Sequence, residues 1–161
     1  MNLYLDIDDN ADDYDEDTNP GGTRRVLEDA GMYLLNAATL WDVLGVEDKA
    51  RELAALRQRF FDMVSSEHLG EARLTPGELV RLKALLDGLV EAAERELVDE
   101  NWQVHPERIA EVEQKQPPLG YFTTDADGQR IYTLSRCLSE LNMTLAYLKR
   151  ALKLGCAVMV G

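Results

Sequence analysis

The first twenty residues constrain the fold more than any other stretch, because they carry eight carboxylates and neither Lys nor Arg. Like charges at this density repel one another unless water, salt, a cation or a basic partner neutralises them, and nothing in the run from Asp9 to Asp17 can anchor a core. The sequence therefore predicts an exposed acidic loop at about residues 9–22, which ends in the turn-forming residues Asn19-Pro20-Gly21-Gly22. The carboxylates are Asp6, Asp8, Asp9, Asp12, Asp13, Asp15, Glu16 and Asp17.

Length and composition predict a single compact domain over residues 1–161. The chain is 45% hydrophobic, which is enough to build a core despite a net charge of −13. A sequence pI of about 4.5 excludes ordinary nucleic-acid binding and disfavours anionic membrane surfaces, since both need clustered Lys and Arg. The N-terminal sequence has neither a basic region nor a long apolar run, so we expect no signal peptide. Two cysteines, Cys137 and Cys156, are too few for a disulfide framework and are typical of a cytoplasmic protein.

Strand signals lie near the two ends of the chain. Residues 2–8 alternate apolar and polar side chains, which predicts a half-buried strand. Tyr121–Thr124 and Arg130–Thr133 are rich in strand-forming residues and flank an Asp-Ala-Asp-Gly turn, a hairpin signal. Residues 156–160 predict a buried C-terminal strand.

Between these strands the apolar residues recur at helical spacing. The strongest signal is Thr75-Pro76-Gly77-Glu78, a capping box that predicts one helix continuing to about Val98 through a leucine stripe. A first helix is predicted to start at Thr23, with a possible restart at Asn36. Two more cover about 47–65 and 105–113, and a last one, capped by Thr133 or Ser135, ends at Gly155. We therefore predict an α+β fold that is predominantly helical, with about five or six helices packed on one small sheet formed by the N-terminal, hairpin and C-terminal strands.

Leu3-Tyr4-Leu5-Asp6-Ile7-Asp8 resembles the first motif of haloacid-dehalogenase-type phosphatases, over about eight residues. In that family an apolar strand carries two aspartates to a magnesium-bound phosphate. The resemblance implies that Asp6 is the nucleophile and Asp8 the acid/base. Asp9 and Asn10 stand where the family has Gly and Thr or Val, and the chain lacks the strand–helix alternation of a doubly wound sheet. A metal-dependent phosphohydrolase is accordingly the alternative function.

The spacing of Asp6, Asp8, Asn10 and Asp12 is similar to the oxygen ligands of a calcium loop. Ala11 occupies the place of the glycine that makes the sharp turn, and Asp17 replaces the bidentate Glu. Weak binding of divalent cations is therefore a second alternative, and the metal, if any, is left open.

The residues favour a non-catalytic protein that binds a basic protein partner through Asp6, Asp8, Asp9, Asp12, Asp13, Asp15, Glu16 and Asp17. No Ser/His/Asp grouping, phosphate loop or Cys/His ligand spacing can be assembled, so we expect no catalytic residues and no cofactor. The chain is similar in general character to bacterial immunity proteins, antitoxins and acidic DNA-mimic inhibitors. Surplus apolar surface on the leucine helices could also form a homodimer. We interpret Trp41, Trp102, Tyr121 and Tyr132 as packing residues and His105 as a surface or capping residue.

Overall fold

The computed structural model describes residues 1–6, 26–65, 72–115 and 118–161. Within these ranges the chain is α+β and predominantly helical, as predicted. The strands are β1 (Leu3–Asp6), β2 (Val26–Leu27), β3 (Tyr121–Thr124), β4 (Arg130–Thr133) and β5 (Ala157–Val160). The helices are α1 (Ala30–Val43), α2 (Glu47–Ser65), α3 (Pro76–Leu86), α4 (Leu89–Glu96), α5 (Ile109–Glu113) and α6 (Ser135–Leu154), with a 3-10 turn at Pro106–Arg108 before α5.

The N-terminal and C-terminal strands meet in one antiparallel sheet with the order β2-β1-β5. Leu3 lies opposite Val160 and Leu5 lies opposite Val158. These four side chains are at most 5% exposed, because strand alternation turns them all toward the core. The backbone of residues 72–74 hydrogen-bonds to the far edge of β5. The predicted strands at the two chain ends are therefore confirmed.

Strands β3 and β4 form the predicted hairpin. The Asp125 carboxylate accepts hydrogen bonds from the backbone of Asp127 and Gln129, and Gly128 has φ 78°, where a side chain would be strained. The hairpin is a two-stranded sheet of its own instead of a part of the terminal sheet, which differs from the predicted arrangement. The reason is that residues 72–74 already cover the edge of β5, while residues 103–104 bind the other side of β4.

The first helix starts later than the sequence predicted. Val26 and Leu27, predicted to be helical, form β2 because they pair with Tyr4 and Leu3. Asp29 has φ 57° and separates β2 from α1. Helix α1 then runs from Ala30 to Val43 without the predicted restart at Asn36.

The capping box at Thr75 is confirmed. The Thr75 hydroxyl accepts from the Glu78 N–H at 3.1 Å, and the Glu78 carboxylate accepts from the Thr75 N–H at 2.9 Å. The single helix predicted from Thr75 to about Val98 is two helices, however, since α3 ends at Leu86 and α4 begins at Leu89. Gly88 has φ 78° and changes the direction of the chain between them.

The core lies between α1, α3, α4 and α6. The predicted leucine stripe is buried: Leu79, Leu82, Leu86 and Leu89 are at most 5% exposed. The Trp41 indole Nε1 donates to the Leu85 carbonyl at 2.7 Å, which fixes α1 against α3. Helix α6 contributes the largest set of fully buried side chains, among them Leu138, Thr144, Leu148 and Ala151.

Candidate functional site

The predicted partner-binding carboxylates fall almost entirely outside the described residues. Asp6 is the last residue of β1, where its backbone lies opposite Ala157. Asp8, Asp9, Asp12, Asp13, Asp15, Glu16 and Asp17 lie outside the described residues, as does the predicted loop at about 9–22. The binding role of this set and the cation loop stay predictions. β1 pairs with antiparallel neighbours on both sides, whereas a doubly wound phosphatase sheet is parallel.

A second concentration of carboxylates lies in residues 87–113, which we call the acidic segment. It carries nine acidic side chains and two arginines, a net charge of −7, whereas residues 114–161 carry three acidic and six basic side chains, a net charge of +3. All nine carboxylate side chains are exposed: Asp87, Glu91, Glu94, Glu96, Asp99, Glu100, Glu107, Glu111 and Glu113. The negative charge of the described residues is therefore concentrated on α4, α5 and the chain between them.

Helical spacing explains how α4 holds so many charges. Leu89, Val90 and Ala93 are at most 5% exposed and pack into the core. The opposite side of the helix therefore faces water, and it carries the exposed Glu91, Glu94 and Glu96. Glu91 lies in the first turn, where the positive end of the helix dipole favours a carboxylate. Packing of the apolar side chains against the core thus fixes the position of α4 and of the carboxylates that it carries.

A tight loop at residues 99–103 projects from the end of α4. The Asp99 carboxylate accepts from the backbone N–H groups of Asn101 at 2.8 Å and Gln103 at 3.1 Å. Val98 and Val104 form a β-bridge across its base. Trp102 has φ 58°, a conformation that is rare for a large aromatic residue and is found mainly where the surrounding structure imposes it.

The half-buried Trp102 connects this loop to its neighbours. Its indole Nε1 donates to Glu94 Oε1 at 3.0 Å, and its carbonyl accepts from the Leu134 N–H at 3.0 Å. Trp102 lines a shallow cavity of about 330 Å³ together with Glu94, Val98, Asp99 and Glu100. Three carboxylates thus surround one aromatic side chain, and their negative charge favours cations in this cavity. Trp102 is half-buried and packs against the core, as the sequence predicted, and it also lines this cavity.

A larger cleft opens where α1 and α6 begin, and we call it the α1–α6 cleft. Its volume is about 390 Å³, and its walls are Asp29, Met32, Tyr33, Asn36, Pro118, Leu119, Gly120, Tyr121, Arg136, Cys137 and Glu140. Arg136 Nε donates to Glu140 Oε1 at 2.8 Å, and this hydrogen bond raises the pKa of the arginine. The Tyr121 and Ser135 hydroxyls are 3.3 Å apart. The cleft therefore combines aromatic walls with both signs of charge.

The described cysteine and histidine residues lie in positions that indicate packing and turn formation. Cys137 is 3% exposed, and burial raises the pKa of its thiol to about 12, so the neutral form persists at physiological pH. His105 precedes the 3-10 turn, as predicted, and its carbonyl accepts from the Arg108 N–H at 2.8 Å. His68 lies outside the described residues. Across the ranges that the structure describes, no three His, Cys, Asp or Glu side chains are grouped so that they could hold a metal ion.

Comparison with known proteins gives no relative for this chain. Scans against protein-family models, curated protein sequences and solved structures found no match. None of the helices in the described part of the chain has the length and apolar character needed to cross a membrane.

Proposed function

We propose that this chain is a non-catalytic binding protein that uses its acidic surface to engage a basic protein partner in the cytoplasm, in the manner of an immunity protein or an antitoxin-like inhibitor. The observation that supports the proposal is the acidic segment, which has nine exposed carboxylates against two arginines and places three of those carboxylates around the half-buried Trp102.

The exposed carboxylates and Trp102 would contribute to binding in different ways. The carboxylates would attract a positively charged partner over a distance and can raise association rates about 10- to 1,000-fold. Trp102 would act after encounter, because tryptophan in a preformed pocket is a frequent energetic centre of protein interfaces. Its backbone is already fixed by the bonds of the 99–103 loop, so binding would order few further groups.

The test compares two variants that each lose five negative charges. In one, Asp12, Asp13, Asp15 and Asp17 become Asn and Glu16 becomes Gln. In the other, Glu91, Glu96, Glu100, Glu107 and Glu113 become Gln, which leaves the bonds of Glu94 and Asp99 intact. Association rates with the partner identified by affinity capture are then measured by stopped-flow fluorescence at low and high salt.

We expect wild-type association to slow as salt rises, since the Debye length falls from about 8 Å at 0.15 M to about 3 Å at 1 M. Each five-charge variant should associate more slowly at low salt and depend less on salt. Trp102→Ala should instead raise the dissociation rate. Association rates that are the same in all proteins and at all salt concentrations would refute the proposal. Magnesium-dependent phosphatase turnover that Asp6→Asn abolishes, and that both five-charge variants retain, would replace it with the alternative function.

A further inference from the structure

The α1–α6 cleft is separate from the acidic segment and carries exposed apolar surface. Five large hydrophobic side chains in the described residues are at least 36% exposed, and two of them, Met32 and Tyr121, line this cleft with 46% exposure each. Tyr33 adds a second aromatic ring to the wall. A volume of about 390 Å³ is at the lower end of the range for small-ligand pockets, roughly 300–1,000 Å³. The cleft therefore has room for a single long side chain.

The charged residues of the cleft are mostly acidic. Asp29 and Glu140 line it, and the exposed Glu28 is adjacent in sequence, whereas Arg136 is the basic residue of the wall. Aromatic rings beside carboxylates are the surroundings in which proteins hold ammonium and guanidinium groups.

Arg136 occupies this cleft from an unfavourable position. It is the second residue of α6, where the positive end of the helix dipole opposes a cation. Its ion pair with Glu140 is also the less stabilising arrangement, because a helical pair is stronger when Glu precedes the basic residue by four positions than when it follows it. The Arg136 side chain is 79% exposed but that of Glu140 only 18%, so the carboxylate is set into the wall and the guanidinium is largely in water. An incoming cation could replace Arg136 at Glu140 with little loss of stability.

We propose that the α1–α6 cleft is a docking site for one lysine or arginine side chain of the basic partner, held by Glu140 and Asp29 between the rings of Tyr33 and Tyr121. The proposal rests on the proposed function for the chemistry of the partner. The competing occupant is an anion, because two helices begin at the cleft and helix N-termini favour negative charge.

The experiment uses acetyl-arginine amide, acetyl-aspartate amide and inorganic phosphate as separate probes at equal ionic strength. Binding is followed by two-dimensional ¹H–¹⁵N NMR of the full chain, with the amides of Met32, Tyr33 and Tyr121 as the readout. The variants are Glu140→Gln and Arg136→Gln. The matched control is Asp42→Asn, which removes the acidic member of an exposed ion pair outside the cleft, the one with Lys115 at 2.7 Å.

The arginine probe should give saturable shifts at the cleft. Glu140→Gln should weaken its binding at least about tenfold, as expected when a charge-assisted hydrogen bond is lost. Arg136→Gln should tighten binding by about two- to fivefold, because the resident cation no longer competes. Asp42→Asn should leave the affinity unchanged.

The sign of the Arg136→Gln effect separates the two occupants. Saturable binding of aspartate or phosphate that Arg136→Gln abolishes would overturn the proposal in favour of an anion site. Arginine-probe shifts at the acidic segment alone, or no saturable shift at the cleft, would also overturn it. The five-Gln variant of the acidic segment should bind the probe as wild type does, so failure at the cleft is distinguishable from failure of the proposed function.

Discussion

The two carboxylate-rich regions of this chain differ in what lies between the charges. The first twenty residues include an unbroken stretch without regularly spaced apolar residues, and their sequence predicts a solvated loop. The acidic segment is nearly as negative, but Leu89, Val90, Ala93 and Leu97 recur through its first half and are at most 5% exposed. Apolar spacing at the helical period, which the sequence of the predicted loop lacks, is what attaches the carboxylates of the acidic segment to a packed element. Carboxylates on such an element can be presented to a partner at fixed positions.

The largest effect should come from removing the core beneath the acidic segment. Leu89 is 1% exposed at the start of α4, so Leu89→Ala leaves a cavity and should lower the free energy of unfolding by about 2–5 kcal/mol. Val80→Ala is the matched control, because Val80 is 56% exposed on α3 and should change stability by less than about 0.5 kcal/mol. Urea unfolding followed by circular dichroism measures both. Equal losses in the two variants would mean that the acidic segment is not anchored by its apolar residues.

The free energy of unfolding at alkaline pH reports on burial in the core and not on titration of the carboxylates. The charges of Asp and Glu side chains are constant between pH 8 and 10, so titration of the carboxylates themselves does not change stability there. Burial raises the pKa of the Cys137 thiol to about 12, whereas a thiol in the unfolded chain ionises near pH 8.5. The folded state therefore retains a proton that the unfolded state loses, and stability should fall as pH rises through this window, by about 2 kcal/mol between pH 8 and 10.

The measurement for this second prediction is urea unfolding of the wild type, Cys137→Ala and Cys156→Ala at pH 8 and pH 10. Cys137→Ala is less stable at pH 8 because it leaves a cavity, but it should lose about 2 kcal/mol less than the wild type on going to pH 10. Cys156→Ala is the control. A pH-dependent loss that is identical in all three proteins would show that the Cys137 thiol is not its source.

The next effect concerns Gly88, which separates α3 from α4 at the start of the acidic segment. Gly88 has φ 78° and open space where a Cβ would lie, so Gly88→Ala should lower stability by about 1–2 kcal/mol through backbone strain alone. Gly77→Ala is the opposite case, because Gly77 lies within α3 and its Cβ would meet the Thr75 hydroxyl at an ordinary 4.0 Å. It should raise stability by about 0.5–1 kcal/mol. The midpoint of thermal unfolding should therefore fall for Gly88→Ala and rise for Gly77→Ala. A Gly88→Ala protein as stable as the wild type would show that the left-handed backbone at Gly88 does not explain why α3 and α4 are separate helices.

Local signals explain which parts of the fold the sequence predicts well. The capping box at Thr75, the hairpin turn at Asp125–Gly128 and the terminal strands each depend on residues close together in the chain. Strand β2 was missed because its two residues take their conformation from pairing with Leu3 and Tyr4, more than twenty residues away. Gly88 was missed because one glycine inside a helical pattern is usually tolerated.

The candidate site was less predictable for the same physical reason. The acidic segment could have been found by counting charge in windows beyond the N-terminus, since its net charge of −7 is visible in the sequence. The place of Trp102 in its cavity depends on a left-handed backbone at Trp102 itself, a conformation that large aromatic residues rarely adopt. The α1–α6 cleft brings together residues 29–36, 118–121 and 136–140, and their meeting follows from tertiary packing alone.

The smallest effect should come from the surface charge of the acidic segment itself. Glu100 and Glu113 are exposed, so changing both to Gln removes repulsion without removing packing. Stability at low salt should rise by no more than about 0.5 kcal/mol, and the gain should vanish at 1 M salt, where the Debye length is about 3 Å. Asp127→Asn is a one-charge control in the net-positive part of the chain, where we expect no such gain. Asp125 is kept, because its carboxylate accepts the hydrogen bonds of the hairpin turn. The opposite result would be a double variant that is less stable at low salt and stays less stable at 1 M salt. These carboxylates would then hold the acidic segment in place, and the conclusion that its apolar residues do so would be wrong.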